Sequence, residues 1–296
     1  LVFPAGHPYH TSLEGDSSST VRLDSATVRG FQERIMDPRR TRIVVAGDIT
    51  LERAREELLE RFGAWEPAGT EAAGPPAAPA VSVPPTRIFL VDKPGAAQSV
   101  IAIGRPGIER SNPDYYAVEV MNTLLGGSFS SRLNSNLRET KGYTYGAGSG
   151  FNWQPLPGPF RAGASVRTNV TDSSLVEFFR EFERIRTEPV DPAELDRARN
   201  YIALGLAGDF ETTSQMAGRI DNLLTFGLPF AYYDDYVERI MAVTAEDVQR
   251  VARKYVTPDQ LSVVVVGDLS LIRDGVEALD LGPIEVRDLY GQPVAP

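Results

Sequence analysis

The sequence repeats part of itself. Residues 28–48, VRGFQERIMDPRRTRIVVAGD, align without a gap on residues 248–268, VQRVARKYVTPDQLSVVVVGD, at an offset of 220. Pro38 falls on Pro258, Gly47 on Gly267 and Asp48 on Asp268, and HPY at His7 matches LPF at Leu228 one residue out of step. Each copy reads as a helix, a proline that closes it, a β-branched strand and a Gly-Asp turn. Self-similarity at a fixed offset describes a repeated unit, so two homologous domains are expected. If the second copy opens near Thr86, the first would open roughly 134 residues before Leu1. The expectation is one whole domain preceded by the last third of another. Such a third leaves a strand edge and core surface uncovered, to be met by the missing piece, a partner chain or the second domain.

Composition marks the division. Between Glu66 and Thr86 stand six Pro, six Ala and two Gly in 21 residues, which form no packed element and read as a semi-rigid linker. The expected domains are 1–66, the C-terminal part of the first repeat, and 86–296, the whole second repeat, with 67–85 as linker. In the first, Asp24 caps a helix closed by Pro38, Thr41–Gly47 reads as a strand, and Leu51, Ala54, Leu58 and Phe62 line one side of a second helix. In the second, RIFLVD and QSVIAIG are strands joined by KPGAA, and Asn112-Pro113 open a helix. After FRAGASVR comes a long helical block, and then the strand SVVVVG. Strands before and after a helical block predict an α+β fold with a mixed sheet in each domain.

The stretch from Gly126 to Phe151, GGSFSSRLNSNLRETKGYTYGAGSGF, is the place to look for a ligand. It reads as a helix capped by Ser128 or Ser130, with Phe129, Leu133 and Leu137 on one face, stopped by Gly142 and followed by a strand. In YTYGAGSGF large and small side chains alternate, the pattern of a strand with one side left bare. Arg138 and Tyr145 would then project as a guanidinium fork and a phenol, suited to peptide carbonyls or a carboxylate. The ordinary alternative is that Arg138 pairs with a surface glutamate and Tyr145 packs in a core.

Several functions are excluded or disfavoured. The net charge of −10 is spread along the chain with no basic stripe, which argues against a nucleic-acid partner. No cysteine is present, so disulfides, thiolate metal sites and a cysteine nucleophile are ruled out. No apolar run approaches the roughly 20 residues that cross a bilayer. The first residues lack the features of a signal peptide, and the chain starts without methionine, as if in the middle of something.

Together, HPY, the V-V-x-G-D strands, DKPGAAQS, LLGGSFSSRLNSNLRETKGYTYGAGSGF, DPAELDRAR and GLPFAYYDDYVERIMAVTAEDV resemble the insulinase or pitrilysin-type zinc metallopeptidases, nearest to the bacterial members and the mitochondrial processing peptidase group. The likeness covers essentially the whole chain and is most specific from Leu137-Arg138 to Tyr145. It implies two homologous α+β half-shells around a chamber: a first with an inverted His-x-x-Glu-His zinc motif, and a second whose Arg and Tyr hold the peptide backbone. Carried over, that pair is Arg138 and Tyr145. The resemblance further implies peptide substrates, a zinc-bearing catalytic half or homologous subunit as partner, and either periplasm or cytoplasm as compartment.

The departure from the family is equally informative. The chain has no His-x-x-Glu-His. In the helix that corresponds stands Tyr116-Ala117-Val118-Glu119-Val120, where neither flanking residue binds metal, so Glu119 reads as a helix-surface carboxylate. His7 and His10 are three apart, but Pro8 lies between them and no carboxylate follows nearby, so they are not taken as ligands. The tyrosine pairs 115–116 and 232–233 read as packing. The expectation is therefore a noncatalytic chain, with no catalytic or metal-binding residue of its own, inactive by itself, with zinc held elsewhere. It would bind extended peptide as a strand added to an open sheet edge. The alternatives are a scaffold homologue and a stand-alone peptide-binding module.

Overall fold

A computed structural model describes residues 2–11, 13–67 and 78–294, so the middle of the expected linker 67–85 lies outside the described residues. The chain divides into a smaller unit, Phe3–Ala80 with Ala207–Thr225, and a larger unit made of Leu1–Val2, Val81–Leu206 and Phe226–Pro296.

In the smaller unit, α1 (Ser17–Thr20) and α2 (Ser25–Ile35) are each opened by an aspartate, Asp24 accepting from the Thr27 backbone N–H at the start of α2. Thr50 caps α3 (Leu51–Phe62) in the same way. The strand expected at Thr41–Gly47 does not form. Its β-branched residues favour extended backbone, but a strand also requires a partner for its N–H and C=O groups, and no ladder reaches this segment among the described residues. Neither α2 nor α3 buries a residue. Ile43, Val45, Leu51, Leu58 and Phe62 instead line an open apolar groove of about 680 Å³.

The larger unit is built on a six-stranded mixed sheet. Its strands are β1 (Arg87–Asp92), β2 (Gln98–Pro106), β3 (Thr144–Phe151), β4 (Pro159–Arg167), β5 (Ser262–Gly267) and β6 (Ile284–Arg287), in the order β3-β4-β2-β5-β1-β6. β1 runs parallel to β5 and β6, while β2 is antiparallel to β4 and β5, and β3 to β4. β6 has no counterpart in the sequence reading. The remaining helices are α4 (Tyr115–Asn122), α5 (Arg132–Asn134), α6 (Thr171–Thr187), α7 (Pro192–Gly208), α9 (Tyr236–Ala242), α10 (Ala245–Tyr255) and α11 (Leu269–Glu277), with α7 leaving this unit after Leu206, while α8 (Thr213–Phe226) belongs to the smaller unit as far as Thr225.

One face of the sheet is covered; the other is open along β2, β4 and β3 but covered at β1, where Phe89 and Val91 are buried. Ile101 and Ile103 of β2, Phe160 and Val166 of β4 and Val263 and Val265 of β5 are buried, together with Leu175, Phe178, Phe182 and Ile185 of α6. Burial of this much apolar surface, at about 25 cal/mol per Å², is what holds the layers together. The alternate positions on β2 to β4, among them Gln98, Val100 and Ala102, Ser165 and Arg167, and Gly148 and Gly150, fall on the opposite face by the period of two.

Asp114 ties α4 to α10. Its carboxylate accepts from Arg250 at 2.6 Å, the Tyr255 hydroxyl at 2.7 Å and Lys254 Nζ at 2.9 Å. Burial alone would raise this carboxyl, but the three donors outweigh it and hold the group at about 2.

Candidate functional site

The site is assembled from the edge strand β3 and the helical segment before it. That segment is not the continuous α-helix expected. After α4 the chain makes a π-helical turn over Thr123–Gly127, and after α5, which begins beyond Ser131 rather than at Ser128 or Ser130, it makes a second over Ser135–Thr140. Each π turn inserts an extra residue and rotates the residues after it about the helix axis. Leu133 and Leu137 are fully buried as expected, but Phe129 lies before the helix and is exposed.

Phe129 acquires a different task. The Arg138 guanidinium carbon lies 4.5 Å from the Phe129 ring centroid, and Nε sits 3.2 Å from Glu139. Stacking and ion pair orient the fork while its two terminal nitrogens have no partner among the described residues. The surface pairing anticipated for Arg138 therefore exists, but it uses only one edge of the group.

Tyr145 is displayed by a bulge. The β3–β4 register shifts between Thr144 and Ala147, and the Thr144 hydroxyl closes the gap, accepting from Gly146 N–H at 3.1 Å and donating to the Ser165 carbonyl at 2.6 Å. A bulge redirects one side chain out of the alternation. Tyr145 is 90% exposed, which removes the alternative of a core tyrosine. Arg138 and Tyr145 line one groove of about 440 Å³, together with Gln98, Tyr143, Thr144 and Arg167.

The edge of β3 itself is not free for a further strand. Asn134 Oδ1 accepts from Ala147 N–H at 3.2 Å, and Asn122 Nδ2 donates to the Ser149 carbonyl at 3.2 Å while its Oδ1 accepts from the Ser149 hydroxyl. Gly126 lies so near that a Cβ there would stand 2.2 Å from Ser149 N. From Ala147 to Ser149 the asparagines already occupy the outer edge of β3, so the surface left open beside Arg138 and Tyr145 is the groove at the bulge. Nothing in the sequence flags Asn122 or Asn134 for this role.

Glu119 also departs from expectation. It is half-buried on α4 rather than freely solvated: Trp153 Nε1 donates to it at 2.6 Å, and it faces a cluster of Tyr115, Tyr236 and Arg110. The Arg110 guanidinium lies 3.4 Å from the Tyr115 ring centroid and donates to the Tyr232 hydroxyl. Tyr116 stacks against Tyr232 with centroids 6.3 Å apart, so both tyrosine pairs pack as read from the sequence. Burial raises the Glu119 carboxyl, only partly offset by Trp153 and Arg110. A raised carboxyl loses stability as pH climbs through the ordinary carboxylate range. Glu119→Gln, which keeps an acceptor for Trp153, is expected to equal the parent in denaturant midpoint at about pH 4 and to exceed it at about pH 8. Parallel pH profiles for the two proteins would contradict this.

The residues here do not fit zinc. Tyr116 and Val120 supply no imidazole, and the space around Glu119 is filled by rings. His7 is buried, stacked on Phe3 at 4.5 Å, and its Nδ1 accepts from the Tyr9 backbone, while His10 Nδ1 lies 2.8 Å from the Phe3 carbonyl oxygen. Among the described residues no group of three or more His, Asp or Glu is placed to hold a metal ion, and no helix is long and apolar enough to cross a membrane.

Comparison with known proteins agrees with this picture. The chain is 26% identical over 251 residues to an uncharacterized zinc protease of Streptomyces coelicolor, an alignment covering 83% of this chain and 54% of that protein. It is 22% identical over 259 residues to the zinc protease PqqE of Helicobacter pylori, covering 87% and 58%. It thus spans about half the length of the curated relatives it matches. Among solved structures, the peptidase M16 inactive domain from Pseudomonas fluorescens superposes with a TM-score of 0.75 at 25% identity, covering 90% of this chain and 63% of that one. The family described as "Peptidase M16 inactive domain" matches residues 22–202. With the family matched over more than half its length, and a mixed sheet with helices of the same fold, this chain belongs to the peptidase M16 inactive-domain family.

Proposed function

We propose that this chain is the noncatalytic, substrate-gripping half of an M16-type zinc endopeptidase, binding extended peptide opposite a zinc site on another half or subunit. The observation that carries this reading is the shared groove of Arg138 and Tyr145, with the guanidinium's terminal nitrogens unpaired and the phenol exposed. A cation fork and a phenol side by side suit backbone carbonyls, which every peptide presents. The peptide crosses the groove at the bulge. The matching bounds of α2 and α10, 220 apart, support the two-repeat organisation divided at 67–85, and the open apolar groove of the smaller unit is where the zinc-bearing half would join.

The test has two stages. Calorimetric titration of the chain with an unstructured, uncharged peptide is expected to show saturable binding. Adding a half or subunit that carries His-x-x-Glu-His is then expected to give chelator-sensitive cleavage that neither component gives alone. Turnover by this chain alone with zinc would overturn the assignment of roles, and absence of peptide binding would favour a scaffold.

A further inference from the structure

Beside Arg138 and Tyr145, the groove contains two groups the peptide-backbone reading does not use. Gln98 and Arg167 are directly opposite one another in the β2–β4 ladder, so their side chains leave the same face of the sheet as neighbours. Both are exposed and both line the groove. Arg167 is anchored where β4 ends, its backbone N–H donating to the Tyr143 carbonyl at 3.1 Å, whereas its guanidinium has no ion-pair or hydrogen-bond partner among the described residues. The groove has a single carboxylate, Glu139, already paired with Arg138. Two guanidinium groups against one carboxylate make a locally positive site in a chain of net charge −10.

We infer that Arg167, with Gln98 beside it, forms a subsite that recognises a carboxylate on the bound peptide, giving the groove a preference for acidic over neutral ligands. The inference rests on the peptide-binding reading and adds the substrate class. A guanidinium binds a carboxylate in a charge-assisted two-point fork that a neutral amide does not reproduce, and the Gln98 amide N–H adds a further donor to it. The carboxylate is either an aspartate or glutamate side chain or the peptide's own C-terminus; both present the same two oxygens.

The test uses fluorescently labelled extended peptides with one Glu or Gln at a varied position, each made with a C-terminal acid and a C-terminal amide, titrated against the full chain by anisotropy. One acidic form is expected to bind about fivefold tighter than its neutral counterpart, the gain of an exposed charged fork at ordinary salt. The Glu/Gln arm reports a side-chain carboxylate and the acid/amide arm a terminal one. Arg167→Ala is expected to bring that ratio close to one, and Arg167→Lys to leave it intermediate, since charge is kept and the fork is lost. An unchanged melting temperature for both variants keeps the comparison to binding alone. A ratio of one in both arms for the parent, or a ratio that survives Arg167→Ala, overturns the subsite while leaving peptide binding intact. Failure of every peptide to bind overturns both readings.

Discussion

Arg138→Ala is expected to weaken binding of an uncharged extended peptide by about 10- to 100-fold while lowering the melting temperature by no more than a few degrees. A hydrogen bond from a charged donor to a ligand acceptor contributes about 1.5–3 kcal/mol, and the variant removes the whole fork. The folded chain loses little in exchange. The side chain is 37% exposed, its pairing partner Glu139 is 57% exposed, and such surface pairs are worth at most about 1 kcal/mol. The stacking on Phe129 adds about 0.5–1 kcal/mol at a site this open. Binding and stability therefore separate, which distinguishes a gripping residue from a structural one. Phe129→Ala should show a smaller loss of the same kind, because the guanidinium stays but is no longer held over a ring. An Arg138→Ala protein that binds as tightly as the parent would end the proposed role.

Gly126→Val is expected to be the most destabilising change at the site, costing about 3 kcal/mol or more and taking the groove with it. Already at Ala, the Cβ would lie 2.2 Å from Ser149 N, 2.4 Å from Ser149 Oγ and 2.8 Å from the Gly148 carbonyl carbon. Those atoms belong largely to the backbone of β3 and have no rotamer through which to withdraw, so the edge strand or the π turn must move. Either movement breaks the Asn122 contacts to Ser149 and shifts the bulge that displays Tyr145. Gly150→Ala is the control. Nothing lies within 4 Å of a Cβ there, so chemical denaturation should find it close to the parent. Equal midpoints for the Gly126 and Gly150 variants would show that the close approach of the π turn to β3 carries no weight.

Much of the larger unit was legible because local pattern and tertiary environment agree. β1, β2, β4 and β5 lie where RIFLVD, QSVIAIG, FRAGASVR and SVVVVG read as strands, and the capping box at Thr244 and Asp247 starts α10. Arg138 and Tyr145 were marked by the family likeness; the glycine-rich strand pointed to the same stretch, whereas composition alone favoured an ordinary structural role for both residues. Other parts were not legible. β6 is four residues long and becomes a strand through its parallel pairing with β1, whose position in the chain is remote. Gln98 and Arg167 are ordinary exposed residues until the ladder sets them side by side. The π turns and the two asparagines that close the β3 edge leave no periodic signal, because each depends on where a distant backbone group happens to lie.

The two segments aligned 220 residues apart separate the two kinds of information. In both copies the sequence by itself determined a capped helix of the same bounds at the 220 offset, since capping, helix propensity and the proline stop act within a few residues. Only the tertiary structure decided what the helix is for. Val248 and Val251 are fully buried where α4 and α6 pack on α10, while the matching Val28 and Phe31 are 53% and 51% exposed. SVVVVG is a sheet strand between β1 and β2, whereas RIVVAG, equally β-branched, has no neighbour to accept its hydrogen bonds among the described residues. Helical hydrogen bonds close within the segment, but strand pairing and burial need a second surface, and that surface is a property of the fold.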